Sequence, residues 1–306
     1  MFKHYQIQNG KIVENGGDSC AVHVYVNPDE AERKFLIETL QIDEHTLNSS
    51  LDPDELGRVE FEATHTAVII KRPKRYSSQD NFLFKISSFG IFLFVDKIVL
   101  ISSEDIPLFE GRLLLKVRSL PDLLLKTVHR CIVHFEEHLQ TIKKISEELE
   151  SEINKAMTNR DLVHMFNLSK SLVYYLKAIT SNGKVLEKLK INAAKMALAT
   201  EELEYVDDAI IENVQCYEEA NTYSQVLSSM MDAWVSVISN NLNIRMKTLT
   251  ILMLCIMMPT LVISIFSMNL PLPLPHDGSL FSFWLVLGMS SASVVFIVLL
   301  WWYRKW

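Results

Sequence analysis

Two runs near the end of the chain decide most of what it can fold into. Residues 249–270 contain no charged side chain, and residues 280–303 contain none either. Each exceeds the roughly 20 residues that an α-helix needs to cross the hydrocarbon of a bilayer. A backbone in that solvent has no water to bond to, so each run must satisfy its own peptide groups as a helix. The sequence predicts two transmembrane helices, with everything before them forming a soluble part.

Residues 1–15 are polar and lack the continuous apolar stretch of about 7–15 residues that a signal peptide requires, so insertion is expected to use the C-terminal runs. Arg245 and Lys247 precede the first run, Arg304 and Lys305 follow the second, and the loop between them has no Lys or Arg. Positive charge stays on the cytoplasmic side, which predicts both termini there, in a multi-pass protein of a bacterial inner membrane. Cys20, Cys131, Cys216 and Cys255 form no CxxC pair and read as free thiols on the reducing side. A net charge of −7 argues against a nucleic-acid partner. The one basic cluster, Lys71-Arg72-Pro73-Lys74-Arg75, reads as a solvated turn.

Period-two alternation predicts short strands at 20–26, 58–64, 66–71, 82–87, 89–95 and 97–102. Pro28 suits a first helical turn, with an amphipathic helix over 29–40. After Pro121 the period becomes helical: one helix over 123–157, a second over 161–180, and a stop at Asn182-Gly183 that turns the chain back. From Lys184 to Met268 the only proline is Pro259, so an unbroken helix there would run for roughly 125 Å. The expected fold is thus α+β: a cytoplasmic α/β domain (1–120), a helical pair (121–183), a long stalk helix (184–247), a first transmembrane helix (248–269), a loop (270–279), a second transmembrane helix (280–303) and a basic tail (304–306).

The rod carries no Lys or Arg between Lys195 and Arg245, yet it holds Glu201, Glu202, Glu204, Asp207, Asp208, Glu212, Glu218, Glu219 and Asp232. It forgoes the i,i+4 ion pairs that a solvated helix usually interleaves. Either basic segments such as Lys143-Lys144 and Lys188-Lys190 neutralise it, or it faces something cationic. Further along, Asn243, Met246, Leu249 or Thr250, Met253, Met257, Thr260 and Ser264 recur at steps of three and four and share one helical face. Small and soft residues on such a face also serve helix packing. Two spans cannot enclose water, so a pore requires several copies around an axis, each residue becoming a ring. A ring of Asn269 amides would offer carbonyl oxygens to a cation that keeps its water, as magnesium does.

The segment "NIRMKTLTILMLCIMMPTLVISIFSMN", residues 243–269, strongly resembles the first transmembrane helix of the CorA family of magnesium channels. "LDPDELGRVEFE" with the basic-proline segment after it resembles the family's N-terminal domain, and "WWYRKW" its basic end, so the resemblance covers essentially the whole chain. It implies a funnel-shaped homopentamer in membrane lipid, with first spans lining the pore. Asn269, with Ser267 and Met268, would form the outer filter, Thr260 and Asn243 inner polar rings, and Met246, Leu249 and Met257 a hydrophobic constriction. Asp208 and Asp232 fall in the acidic stalk, where a regulatory or transit cation would bind. "SMN" replaces the family's Gly-Met-Asn, and "LPLPLPHDG" replaces its Met-Pro-Glu-Leu loop, leaving only Asp277 and His276 near the mouth. Magnesium, or zinc, cobalt or nickel, is the expected cargo and regulatory ion, with no other cofactor; a diverged selectivity or a non-conducting scaffold are the alternatives.

His134-Phe135-Glu136-Glu137-His138 matches the H-x-x-E-H spacing of inverted zinc peptidases. The helix around it is charged and reads as exposed, with no third ligand, so a satisfied or solvated pair is expected and no enzyme. Trp284, Trp301, Trp302, Tyr303 and Trp306 sit near the ends of the second span and read as interfacial anchors.

Overall fold

A computed structural model describes residues 1–14, 20–76, 81–107, 109, 114, 116–153, 159–268 and 280–304. It divides into two units, Met1–Met231 and Asp232–Trp306. The first contains β1 (Phe2–Gln8), β2 (Lys11–Glu14), β3 (Val22–Val26), α1 (Glu30–Glu38), α2 (Glu44–Leu51), β4 (Arg58–Phe61), β5 (Thr66–Pro73), β6 (Ile86–Leu93), β7 (Ile98–Ser102), α3 (Leu120–Ile153) and α4 (Asn159–Ile191). Helix α5 (Thr200–Phe266) begins in the first unit and ends in the second, which also holds α6 (Leu280–Arg304).

The strands form one sheet in the order β2-β1-β3-β7-β6-β5-β4, antiparallel except for the β3–β7 pair. Alternation divides each inner strand between two cores. Val22, Val24, Val68, Ile70, Phe89, Ile91, Ile98 and Leu100 face α3 and α4, whereas Tyr25, Ala67, Phe92, Val99 and Ile101 face α1 and α2. A sheet covered on both faces needs apolar residues of both parities, which is why these strands read as nearly continuous hydrophobic runs. Of the runs expected at 82–87 and 89–95, only Ile86–Leu93 is strand, the single strand β6, and residues 82–85 precede it outside the sheet. The β1–β2 hairpin and α2 were not expected from the sequence. Asp29 caps α1 through a reciprocal bond with Glu32, so Pro28 lies just outside the helix.

Two expectations are corrected. Lys71 and Arg72 are not in a solvated turn; both are buried in β5. Lys71 Nζ donates to the Pro53 carbonyl at 2.9 Å and Ser88 Oγ at 2.6 Å, and burial lowers its pKa to about 8. Asn182-Gly183 is not a helix stop, because α4 runs through both residues. Asn182 Oδ1 accepts from Lys71 N–H and its Nδ2 donates to Lys71 C=O, both at 2.8 Å, where β4 has ended and β5 would otherwise lack a partner. Ser181 Oγ accepts from Gly57 N–H at 2.7 Å beside it. A Cβ on Gly183 would stand 3.0 Å from Asn213 Nδ2 of α5, so the glycine lets two helices approach rather than ending one. The stop comes instead at a 3₁₀ turn, Ala193–Met196, closed by Ala197 at φ 51°. The expected rod from Lys184 is therefore divided, and α5 is 67 residues long.

Replacing Asn182 by Ala strands a buried N–H and a buried C=O of β5. The expected loss is roughly 2–4 kcal/mol, read as a lower unfolding midpoint, while Ala197→Gly, which relieves a left-handed alanine, raises the midpoint.

Candidate ion pathway

In the second unit, α5 and α6 each carry one half-buried stripe. On α5 it comprises Ile251, Cys255, Met258, Pro259, Val262 and Phe266; on α6 it comprises Ser282, Leu285, Val286, Ser290, Ser293, Val294 and Ile297. The matching loss of exposure on both helices is what two packed membrane helices show, and Ser290 on the α6 stripe is buried. At 100° per residue, the candidate pore face lies on the opposite side of α5 from this stripe. Met246, Leu249, Met253, Met257, Thr260 and Ser264 are all exposed. Asn243, Met246 and Thr250 lie at the edge of that face, where with Ile297, Leu300 and Trp301 they also line a groove of about 540 Å³.

The exposed face extends further than the sequence reading took it. Val235, Ile238 and Leu242 continue it, so the seam from Val235 to Ser264 advances by 3, 4, 4, 3, 4, 4, 3 and 4 residues, every position exposed. Those steps average close to the 3.6 of a straight helix, so the seam runs along α5 without winding around it. Its periodicity was present in the sequence, but the three residues precede the uncharged run.

Oxygen chemistry on the seam is one-sided. Thr250 Oγ1 donates to Met246 C=O at 2.8 Å, and Thr260 Oγ1 donates to Ile256 and Met257 C=O at 2.9 and 2.8 Å. With their hydrogens committed to the helix, these hydroxyls turn lone pairs outward, suited to water in a cation's hydration shell. Ser267 Oγ donates to Ser264 C=O at 2.9 Å, and Ser267 does not have positive φ. Met268 is exposed. Asn269, Asp277, His276, Lys305 and Trp306 lie outside the described residues.

The acidic part of α5 is partly neutralised within the first unit. Asp207 pairs with Lys190 at 2.7 Å, Glu201 with Arg118, and Glu212 with His129, whose other nitrogen is 2.6 Å from Tyr205 OH. Glu202 accepts from Ser119 Oγ at 2.7 Å and from Ala199 N–H at 2.8 Å at the start of the helix. Lys190 was an expected partner; Lys188 bonds instead to the Val59 carbonyl. Among the described residues Glu204, Asp208, Glu218 and Asp232 make no ion pair, and Asp208 and Asp232 are exposed. The described residues contain no group of three or more His, Cys, Asp or Glu able to hold a metal ion, so neither aspartate has a complete ligand set within one chain.

The H-x-x-E-H pair is half-buried rather than exposed. His134 and His138 stack edge to face at 4.6 Å, and His138 Nδ1 is 2.7 Å from Tyr175 OH. Burial, with nearby cationic groups, lowers His134 to about 3; burial lowers His138 to about 4. Among the described residues neither belongs to a metal cluster. Trp284, Trp301, Trp302 and Tyr303 are exposed on α6.

The chain matches the family model described as CorA-like Mg2+ transporter protein over residues 22–305. It belongs to that family, one of membrane transporters, and it has two helices long and apolar enough to cross a membrane. The cobalt/magnesium transport protein CorA of Methanocaldococcus jannaschii is 26% identical over 309 residues, covering 95% of each chain. The complete structure of the CorA magnesium transporter from that organism superposes with a TM-score of 0.77 at 22% identity, over 98% of this chain and 96% of that one. The full-length CmaX protein gives 0.73 at 12% identity, over 100% and 98%.

Both histidines have folded-state pKa values below the ordinary 6.5. As pH falls below 6.5 the unfolded chain takes up protons that the folded chain refuses, so their contribution is full above that pH and drains from about 6.5 down to about 4 for His138 and about 3 for His134. In urea titrations at pH 7 and pH 5, His134→Gln should lose less stability on acidification than the parent chain.

Proposed function

We propose that this chain is the subunit of a homopentameric channel through which a hydrated divalent cation, magnesium foremost, enters the cytoplasm. The observation that carries the reading is the pair of opposed faces on α5. One is covered by α6; the other is a straight, exposed seam of thioethers, aliphatic groups and outward lone pairs that a single chain leaves open. Copies around an axis cover that seam and turn each residue into a ring. The count of five and the inward placement of α5 follow the family resemblance.

On this reading Met246, Leu249 and Met257 form an apolar constriction that gates by excluding water. Thr260 and Asn243 are oxygen rings on either side of it, and Asn269, with Ser267 and Met268, is the outer filter. Asp208 and Asp232, unpaired within one chain, complete a cation site only with a neighbouring copy. Magnesium held there stabilises the closed assembly by differential affinity. Both termini face the cytoplasm, and an inside-negative potential drives entry with about 4.6 kcal/mol per 100 mV for a doubly charged ion.

Flux into liposomes, measured for magnesium, zinc, cobalt and nickel, tests the pathway. Thr260→Val keeps the shape and removes the oxygen, so magnesium flux is expected to fall about tenfold, as for one lost polar contact, with Thr260→Ser restoring it. Asn269→Ala should alter conduction or the order of ions, and no flux of any ion from the parent chain would leave a scaffold. Separately, Asp232→Asn or Asp208→Asn should shift inhibition by internal magnesium to higher concentration; an unchanged curve removes that residue from the sensor.

A further inference from the structure

Apart from the ion pathway, the first unit contains a cavity of about 210 Å³ between the sheet and α3. Arg72 of β5, Arg75 just after it, and Arg130 and His134 of α3 line it, together with Phe89, and among the described residues no acidic side chain lines it. Arg72 is only 6% exposed. Among the described residues nothing accepts a hydrogen bond from its guanidinium. Its neighbour Lys71, equally buried, has carbonyls and a hydroxyl around its ammonium. The fold thus satisfies a buried cation where the cation is structural, and leaves the next one aimed into open space.

The surrounding charges do not resolve this. Arg130 pairs with Glu137 at 2.7 Å on the exposed side of α3, and Glu104 is committed to Lys74 at 2.6 Å. Arg75 and Arg130 act on Arg72 as like charges, and the same arginines help keep His134 unprotonated. A buried guanidinium without acceptors is costly, and the like charges of Arg75 and Arg130 beside Arg72 raise that cost. A dianion with several oxygens removes the cost, because planar guanidinium forks match phosphate bidentately.

We propose that this cavity is a binding site for a phosphate group, held by Arg72, Arg75 and Arg130 with His134 at its edge. The volume admits inorganic phosphate with room beside it, or the phosphate end of a phosphate monoester. The site is separate from the α5 seam, so absence of cation flux would not bear on it.

Calorimetric titration of the detergent-solubilised full chain in magnesium-free buffer tests the site, with potassium phosphate, adenosine monophosphate, and potassium chloride at matched ionic strength as three arms. Saturable heat is expected with phosphate or the monoester and not with chloride; tighter binding of the monoester identifies a nucleotide as the source, and equal or tighter binding of phosphate identifies the free anion. Arg75→Gln and Arg130→Gln should each weaken binding about tenfold or more, the factor for one charge-assisted hydrogen bond. The ligand-free unfolding midpoint of Arg75→Gln should hold or rise, because a repelling charge is gone. No saturable binding by the parent chain, or undiminished affinity in both variants, overturns the proposal.

Discussion

A helix in hydrocarbon must close its own hydrogen bonds, and that constraint leaves side chains as the only means by which α5 can tell one direction from another. It does so with two opposed faces. The face towards α6 is half-buried and the other is exposed from Val235 to Ser264. Pro259 removes one donor from the ladder on the covered side, and Thr260 next to it donates to the carbonyls of Ile256 and Met257. With its hydrogen committed to the helix, the Thr260 hydroxyl cannot donate outward. Anions and acceptors find little to bind on this face, whereas donors such as water meet lone pairs.

The acidic segment of the same helix answers to a different balance. Its early carboxylates are tied to Arg118, Lys190 and His129 of neighbouring segments, and the exposed pairs with Arg118 and Lys190 contribute little stability. The absence of basic residues from this segment of the helix is therefore not a stability device. What it achieves is a run of uncompensated negative potential at Glu204, Asp208, Glu218 and Asp232, which raises the local concentration of divalent cations.

The sheet and the two spans were legible because their signals are local: period-two alternation and long uncharged runs need no knowledge of the rest of the chain. What escaped depends on partners far away in sequence. Asn182-Gly183 has the composition of a helix stop, and only β5, more than a hundred residues earlier, turns it into a clamp. Lys71 and Arg72 look like a solvated turn until the carbonyls near Pro53 and the underside of α3 are in place. The β1–β2 hairpin lies at the sheet edge, where half-exposed strands keep polar residues on both faces and show weak alternation. On α5, the shared face from Asn243 to Ser264 was legible, and its exposed continuation through Val235 was hidden by the acidic composition before it.

Ser267 marks where this chain departs from the family signature. Glycine at such a position suggests a backbone that other residues resist, yet Ser267 lies outside the positive-φ region, so serine is not strained there. The difference is chemical. A helix C-terminus gathers unpaired carbonyls and partial negative charge that favour cations. Ser267 closes that end twice, its N–H donating to the Ile263 carbonyl at 3.0 Å and its hydroxyl to the Ser264 carbonyl at 2.9 Å. The Ser264 carbonyl thus gains a bond that a glycine at 267, with its backbone N–H alone, would not supply.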